Sequence, residues 1–164
     1  PDQASHWPLY YDRGIALERS KQWDRAEADF LKALTFVPDQ PLVLNYLGYS
    51  WTERGKNLPE AREMIERAAK QRPNDGAIID SLGWVMMRQG DVPAAVRLLE
   101  RATELEPTDA TVTGHLGDAY WASDRKLEAV FQWRRALNLK PDPDEQKRIE
   151  ERLREAEKTL GMTH

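Results

Sequence analysis

The chain has 164 residues, with 24 Lys+Arg against 28 Asp+Glu and a formal charge of −4. It contains no cysteine, which excludes a disulfide framework, thiolate metal centres, Fe–S clusters and a cysteine nucleophile. No apolar run approaches the ~18 residues that cross a bilayer, and no basic excess offers a footprint for nucleic acid.

Pro1–His6 is no signal peptide, and in the absence of an initiator Met it reads as a leader from a preceding segment. From Trp7 onward the chain repeats itself in four units, 7–40, 41–75, 76–109 and 110–143. The first unit holds the helical pattern Tyr10–Gly14–Leu17, then Ala26, Phe30 and Ala33, and ends at Pro38-Asp39-Gln40-Pro41. The second runs Leu44–Leu47–Gly48–Trp51, turns at Arg54-Gly55-Lys56-Asn57, and continues through Ala61, Ile65 and Ala68 to Pro73-Asn74-Asp75-Gly76. The third carries Leu82–Gly83–Met86, a turn at Gln89-Gly90-Asp91, then Ala95, Leu99, Ala102 and Pro107-Thr108-Asp109. The fourth has Leu116–Gly117–Tyr120, then Ala129, Trp133, Ala136 and Pro141-Asp142-Pro143. The glycines are spaced 34, 35 and 34 apart, and the proline and alanine tracks keep the same period.

A glycine inside a helix costs roughly 1 kcal/mol relative to alanine, so four at one period imply close helix–helix approach. The paired alanines, seven apart with a large residue between them, form one stripe on the second helix. Pro59 and Pro93 fall in the first turn of a helix, where a missing N–H is harmless. Between units, proline ends one helix and an Asp or Asn is placed to cap the next. The expected fold is all-α, a solenoid of helix–turn–helix units. Its mean hydropathy of −0.74 then reflects an elongated helical array with much polar surface.

Residues 144–164 differ from the array. Eleven of the 17 residues in Asp144–Leu160 are charged, and Ile149, Leu153, Ala156 and Leu160 form one narrow apolar stripe. This is the pattern of a polar capping helix, with Asp144–Arg148 and Glu150–Arg154 as i,i+4 pairs and Gly161 as its stop. A coiled-coil partner helix is the alternative, though two heptads are short for one. No such cap precedes Trp7, so its aromatic first helix is expected to meet a further repeat or a second copy.

These residues resemble the tetratricopeptide repeat (TPR) family. Leu47-Gly48, Trp51, Ala61, Ile65, Ala68 and Pro73 carry the likeness, as do Leu82-Gly83, Met86, Ala95, Leu99, Ala102 and Pro107. Leu116-Gly117, Tyr120, Ala129, Trp133, Ala136 and Pro141 repeat it. In the first unit Arg13 replaces the usual Leu before Gly14. The resemblance implies a right-handed superhelix whose first helices line a concave groove for an extended or helical peptide.

Carried onto this chain, the groove positions are Tyr11, Asp12, Ile15 and Glu18, then Asn45, Tyr46, Tyr49 and Thr52. Asp80, Ser81, Trp84 and Arg88 follow, then His115, Asp118, Trp121 and Ala122. Tyr46, Tyr49, Trp84 and Trp121 either contact a ligand or pack between repeats. The family's carboxylate clamp of Lys, Arg and Asn is absent. Its positions hold Tyr11, Ile15, Tyr46, Ala77 and Ser81 in one frame, or Asn45, Tyr49, Ser81, Thr111 and His115 in the other. His115 and Asp118 make half a metal site with no second His to complete it, and no catalytic or phosphate-binding motif occurs.

The reading is a non-enzymatic scaffold or adaptor without cofactor or metal, binding a protein or peptide. Structural self-assembly, including through the uncapped first helix, and service as a regulatory arm of a larger enzyme are the alternatives. No nucleic-acid partner and no membrane insertion of this segment are expected. Leu42–Tyr49, Ile79–Trp84 and His115–Trp121 look like the C-terminal part of longer Gram-negative TPR proteins, some of them envelope adaptors. That likeness suggests a periplasmic or outer-membrane-associated setting, with the cytoplasm as the alternative.

Overall fold

The computed structural model describes residues 4–162; Pro1, Asp2 and Gln3 of the leader and Thr163 and His164 of the tail lie outside them. A 3-10 turn at Ala4–His6 leads into α1 (Trp7–Arg19), followed by α2 (Trp23–Phe36), α3 (Pro41–Glu53) and α4 (Leu58–Gln71). Then come α5 (Gly76–Arg88), α6 (Val92–Leu105), α7 (Ala110–Ala122), α8 (Lys126–Asn138) and α9 (Pro143–Thr159). Among the described residues every regular element is helical, so the fold is an all-α repeat. It divides into two compact units, Pro1–Pro73 with α1–α4 and Asn74–His164 with α5–α9. No helix of the described residues is long and apolar enough to cross a membrane.

The turn inside each helix pair is built the same way. Lys21, Gly55, Gly90 and Asp124 take left-handed backbone with φ of 61°, 64°, 88° and 63°. The next N–H then reaches back five residues, Gln22 to Leu17, Lys56 to Trp51, Asp91 to Met86 and Arg125 to Tyr120, at 2.9 Å each. These are Schellman closures, which satisfy carbonyls that the helix end would leave open. Only two of the four positions use glycine, so the turn does not depend on it.

Five helix starts are capped by side chains. Asp75, Asp91, Asp109 and Asp142 accept backbone N–H bonds at the heads of α5, α6, α7 and α9. At the head of α3 the acceptor is Gln40, 2.7 Å from the Leu42 N–H, and not Asp39. Asp39 is turned instead toward the Arg67 guanidinium of α4. Proline at the second position of α4 and α6 forfeits an N–H that no helical partner would have taken.

The periodic glycines mark the closest approach within each pair. A Cβ at Gly14 would lie 2.6 Å from Phe30, at Gly48 2.6 Å from Ile65, at Gly83 2.8 Å from Leu99 and at Gly117 2.6 Å from Trp133. The large residue between the two alanines, rather than the alanines themselves, therefore occupies the space each glycine leaves. All eight alanines of the two tracks are buried, as are the four large residues. Arg13, at the usual Leu position, forms a bidentate pair with Asp29 of α2, both bonds 2.7 Å. Position 29 corresponds by repeat to Met64, Leu98 and Gln132, so an ion pair has replaced a mostly apolar contact.

In the second unit α9 packs on α8. Its stripe delivers Ile149 and Ala156, both fully buried, into a cluster with Leu116, Val130, Trp133 and Ala136. Leu153 and Leu160 are partly buried at its edge. Burying Ile149 contributes about 1.5–3 kcal/mol to the docking of this polar helix.

Candidate functional site

In the first unit the expected groove residues lie on α1 and α3. Tyr11, Ile15, Asn45, Tyr46 and Tyr49 are all half-buried, and Asp12 is exposed. The rings of Tyr11 and Tyr46 meet edge to face at 6.1 Å and 89°. Phe30 of α2 supports both, 6.3 Å from Tyr11 and 5.3 Å from Tyr46, and Trp7 adds a fourth ring 5.8 Å from Tyr11. The stripe that fills the space at Gly14 thus also props up this aromatic surface. Thr52 is buried and donates to the Gly48 carbonyl at 2.7 Å, so it faces inward.

Polar atoms are embedded among the rings. Burial raises the Glu18 carboxyl above its ordinary value, opposed by a hydrogen bond with Ser50. Burial, aided by the charge of Glu18, likewise raises the Tyr46 hydroxyl, and burial with Asp12 raises that of Tyr11. Asn45 Oδ1 and Glu18 Oε2 are closed off from solvent and take no hydrogen bond within the chain. A buried acceptor without a donor costs about 1–3 kcal/mol.

The second unit uses the same repeat positions differently. Asp80, Ser81, Trp84, His115 and Asp118, expected to face solvent, are all buried. Arg88 and Ala122 are exposed and Trp121 is half-buried. His115, 2 % exposed, places Nδ1 2.9 Å from Asp80 Oδ1, and the Trp84 ring stacks on the imidazole at 4.0 Å and 14°. Burial alone would lower the His115 pKa, but the Asp80 carboxylate, with Asp118 and Glu145, outweighs it and raises the pKa above 6.5.

His115 of α7 covers Asp80 and Trp84, and α9 covers Asp118. Arg148 donates through Nη1 to Asp118 Oδ2 at 2.7 Å and through Nε and Nη2 to Glu145 at 3.1 and 2.7 Å. Arg152 Nε reaches Asp118 Oδ1 at 3.3 Å, the atom that also accepts from Trp133 Nε1 at 3.1 Å. Arg148 therefore serves Glu145 and Asp118 instead of the expected Asp144, and Glu150 accepts from Gln146. The oxygens of Asp118 and Nδ1 of His115 are engaged by side chains of the same chain. The charged run of Asp144–Leu160 thus hides three residues with inward roles, Glu145, Arg148 and Arg152. One signal was available: Arg152 follows Asp118 by 34 residues, one repeat period.

Comparison with known proteins bears on this arrangement. A family model described as tetratricopeptide repeat matches residues 11–76 and 81–145. The TPR repeat-containing protein PA4667 of Pseudomonas aeruginosa is 39 % identical over 82 residues, 50 % of this chain and 14 % of that protein. The chain therefore spans a small part of that relative's length. The crystal structure of TTC0263, a thermophilic TPR protein of Thermus thermophilus, superimposes with a TM-score of 0.82 at 20 % identity, covering 94 % of this chain and 83 % of that one. The first TPR of Spaghetti (RPAP3), bound to the HSP90 peptide SRMEEVD, gives 0.64 at 20 % identity, covering 74 % and 94 %. At such identities both structures speak to the fold alone.

Proposed function

This chain belongs to the tetratricopeptide-repeat family, a fold known for protein–protein interaction and typically non-catalytic, and we propose that it is an adaptor. It holds a peptide segment of a partner protein on the α1–α3 surface of the first unit. The observation that carries this reading is the half-buried set Tyr11, Ile15, Asn45, Tyr46 and Tyr49, with the rings of Tyr11 and Tyr46 propped by Phe30. Aromatic rings supply contact area at low entropic cost, and a fixed amide can bond a peptide backbone. The corresponding positions of the second unit are engaged by their own chain, which leaves the first unit as the binding surface.

The ligand in this reading is an internal segment rather than a chain end. The clamp positions on α1 and α3, Tyr11, Ile15, Asn45, Tyr46 and Tyr49, offer no cation for a terminal carboxylate. Peptides selected from a random display library against the whole chain test this. Tyr11→Ala combined with Tyr49→Ala should weaken selected peptides at least tenfold with helical content unchanged, since a central aromatic anchor contributes about 2 kcal/mol. Amidating the peptide C-terminus should leave affinity unchanged. Equal binding to the double variant, or selection of peptides that require a free carboxylate, refutes the proposal.

A further inference from the structure

Leu127 and Phe131 lie four residues apart on α8, 68 % and 64 % exposed. They occupy the helix face opposite Ala129, Trp133 and Ala136, which form the core. The repeat places Asp24 and Ala28, Pro59 and Glu63, and Pro93 and Arg97 at the same positions of α2, α4 and α6, all exposed. Three helices thus keep this face polar or small, and α8 alone of the four carries two large apolar side chains on it. Nothing in the peptide-binding reading uses them.

The flanking charges say what fits there. Asp124, three residues before Leu127, is 88 % exposed, and Arg134, three residues after Phe131, is 46 % exposed. Asp124 stands in the left-handed turn just before α8, 3.8 Å from Lys126 of its own chain, so the apolar pair has acid at one end and base at the other. Laid antiparallel on itself, it sets Leu127 against Phe131 and Asp124 against Arg134, twice over. Arg134 meets Glu157 of its own chain at 2.9 Å, a bond on its exposed guanidinium that the second pairing can share. A face that is self-complementary under a two-fold axis is the requirement for an isologous contact.

We propose that α8 pairs antiparallel with α8 of a second copy of this chain. The patch is smaller than the ~1,200 Å² of a stable interface, so the dimer is weak, with Kd on the order of 0.1 mM. Resting on the adaptor reading, two joined copies carry two α1–α3 surfaces, which raises avidity for a partner that carries two segments.

Sedimentation equilibrium of the whole chain from about 10 μM to about 1 mM brackets that constant. The wild type should move from 18.9 kDa toward twice that mass. Phe131→Glu should stay monomeric throughout, and Arg134→Asp, which sets acid against Asp124, should weaken dimerisation at least tenfold. Asp124→Arg combined with Arg134→Asp restores opposite charges and should bring dimerisation back. Lys21 occupies the equivalent left-handed turn position, so a long basic side chain is compatible there. The charge pair decides the matter even if Phe131→Glu misfolds. A wild type monomeric at 1 mM, a dimer untouched by Arg134→Asp, or a charge swap that fails to restore it overturns the proposal. So does a dimer lost in Leu9→Glu and kept in Phe131→Glu, which would place the contact on α1.

Discussion

Replacing Gly117 with Ala sets two effects of opposite sign against each other. Helix propensity favours alanine by roughly 1 kcal/mol. Against it, the added Cβ lies 2.6 Å from both Cδ1 and Nε1 of Trp133 and 3.1 Å from Cε2. That ring cannot simply step aside. It is 1 % exposed, its N–H is bonded to Asp118, and the Arg152 guanidinium lies 5.6 Å from its centre. Overpacking a rigid core costs about 1–3 kcal/mol, and a ring held on three sides belongs at the upper end. The expected net result is a loss of about 1–2 kcal/mol. In urea denaturation followed by far-UV circular dichroism, that moves the midpoint down by about 0.5–1 M with the slope unchanged. In a Trp133→Leu background, which copies Leu99 of the preceding unit, the same glycine change should cost at least ~0.5 kcal/mol less. A Gly117→Ala variant more stable than wild type would mean that propensity wins and that close approach is not why these glycines recur.

Three further outcomes follow from the buried charges. The folded pKa of His115 is raised, so its contribution is complete below 6.5 and lost as pH rises through the folded value. The stability advantage of wild type over His115→Asn, measured by urea midpoint at several pH values, should therefore shrink steadily above that point; a constant gap refutes it. The folded pKa of Glu18 is also raised, by burial, so wild type loses stability as pH climbs through that value. Glu18→Gln should be more stable than wild type at neutral pH, and the two midpoints should converge on acidification. Arg148→Met leaves Asp118 buried with Arg152 and Trp133 as its remaining donors, at a cost of about 2 kcal/mol. Hydrogen exchange of the α9 amides should rise with it, and unchanged protection of α9 would show that Ile149 and Ala156 alone hold the helix.

What the sequence makes legible is periodicity, and periodicity determines secondary structure and the core. Gly14, Gly48, Gly83 and Gly117 face Phe30, Ile65, Leu99 and Trp133, a pairing the 34-residue spacing and the Ala–large–Ala stripe already imply. The junction cap at Gln40 was less legible, because Asp39 has equal capping chemistry and is drawn off by Arg67, a residue distant in sequence. Least legible was the exposure of the second unit's groove positions. Whether Asp118 faces water depends on Arg148 and Arg152, and a charged helix gives no local sign of which charges turn inward.

The repeat register does supply that sign once α9 is included in it. Advancing one period from Gly114, His115 and Asp118 gives Arg148, Ile149 and Arg152. So α9 occupies the register of a further first helix. Asp80 of α5 bonds His115 of α7, one residue past its own register counterpart Gly114. Asp118 thus bonds its counterpart Arg152, and Asp80 the neighbour of its own, one repeat later. Tyr46, the counterpart of His115 in the first unit, meets Tyr11 and Phe30 through its ring face and edge. Charge at these positions closes one repeat onto the next within the second unit, and under the proposed reading the tyrosines and asparagine of the first unit serve a ligand instead.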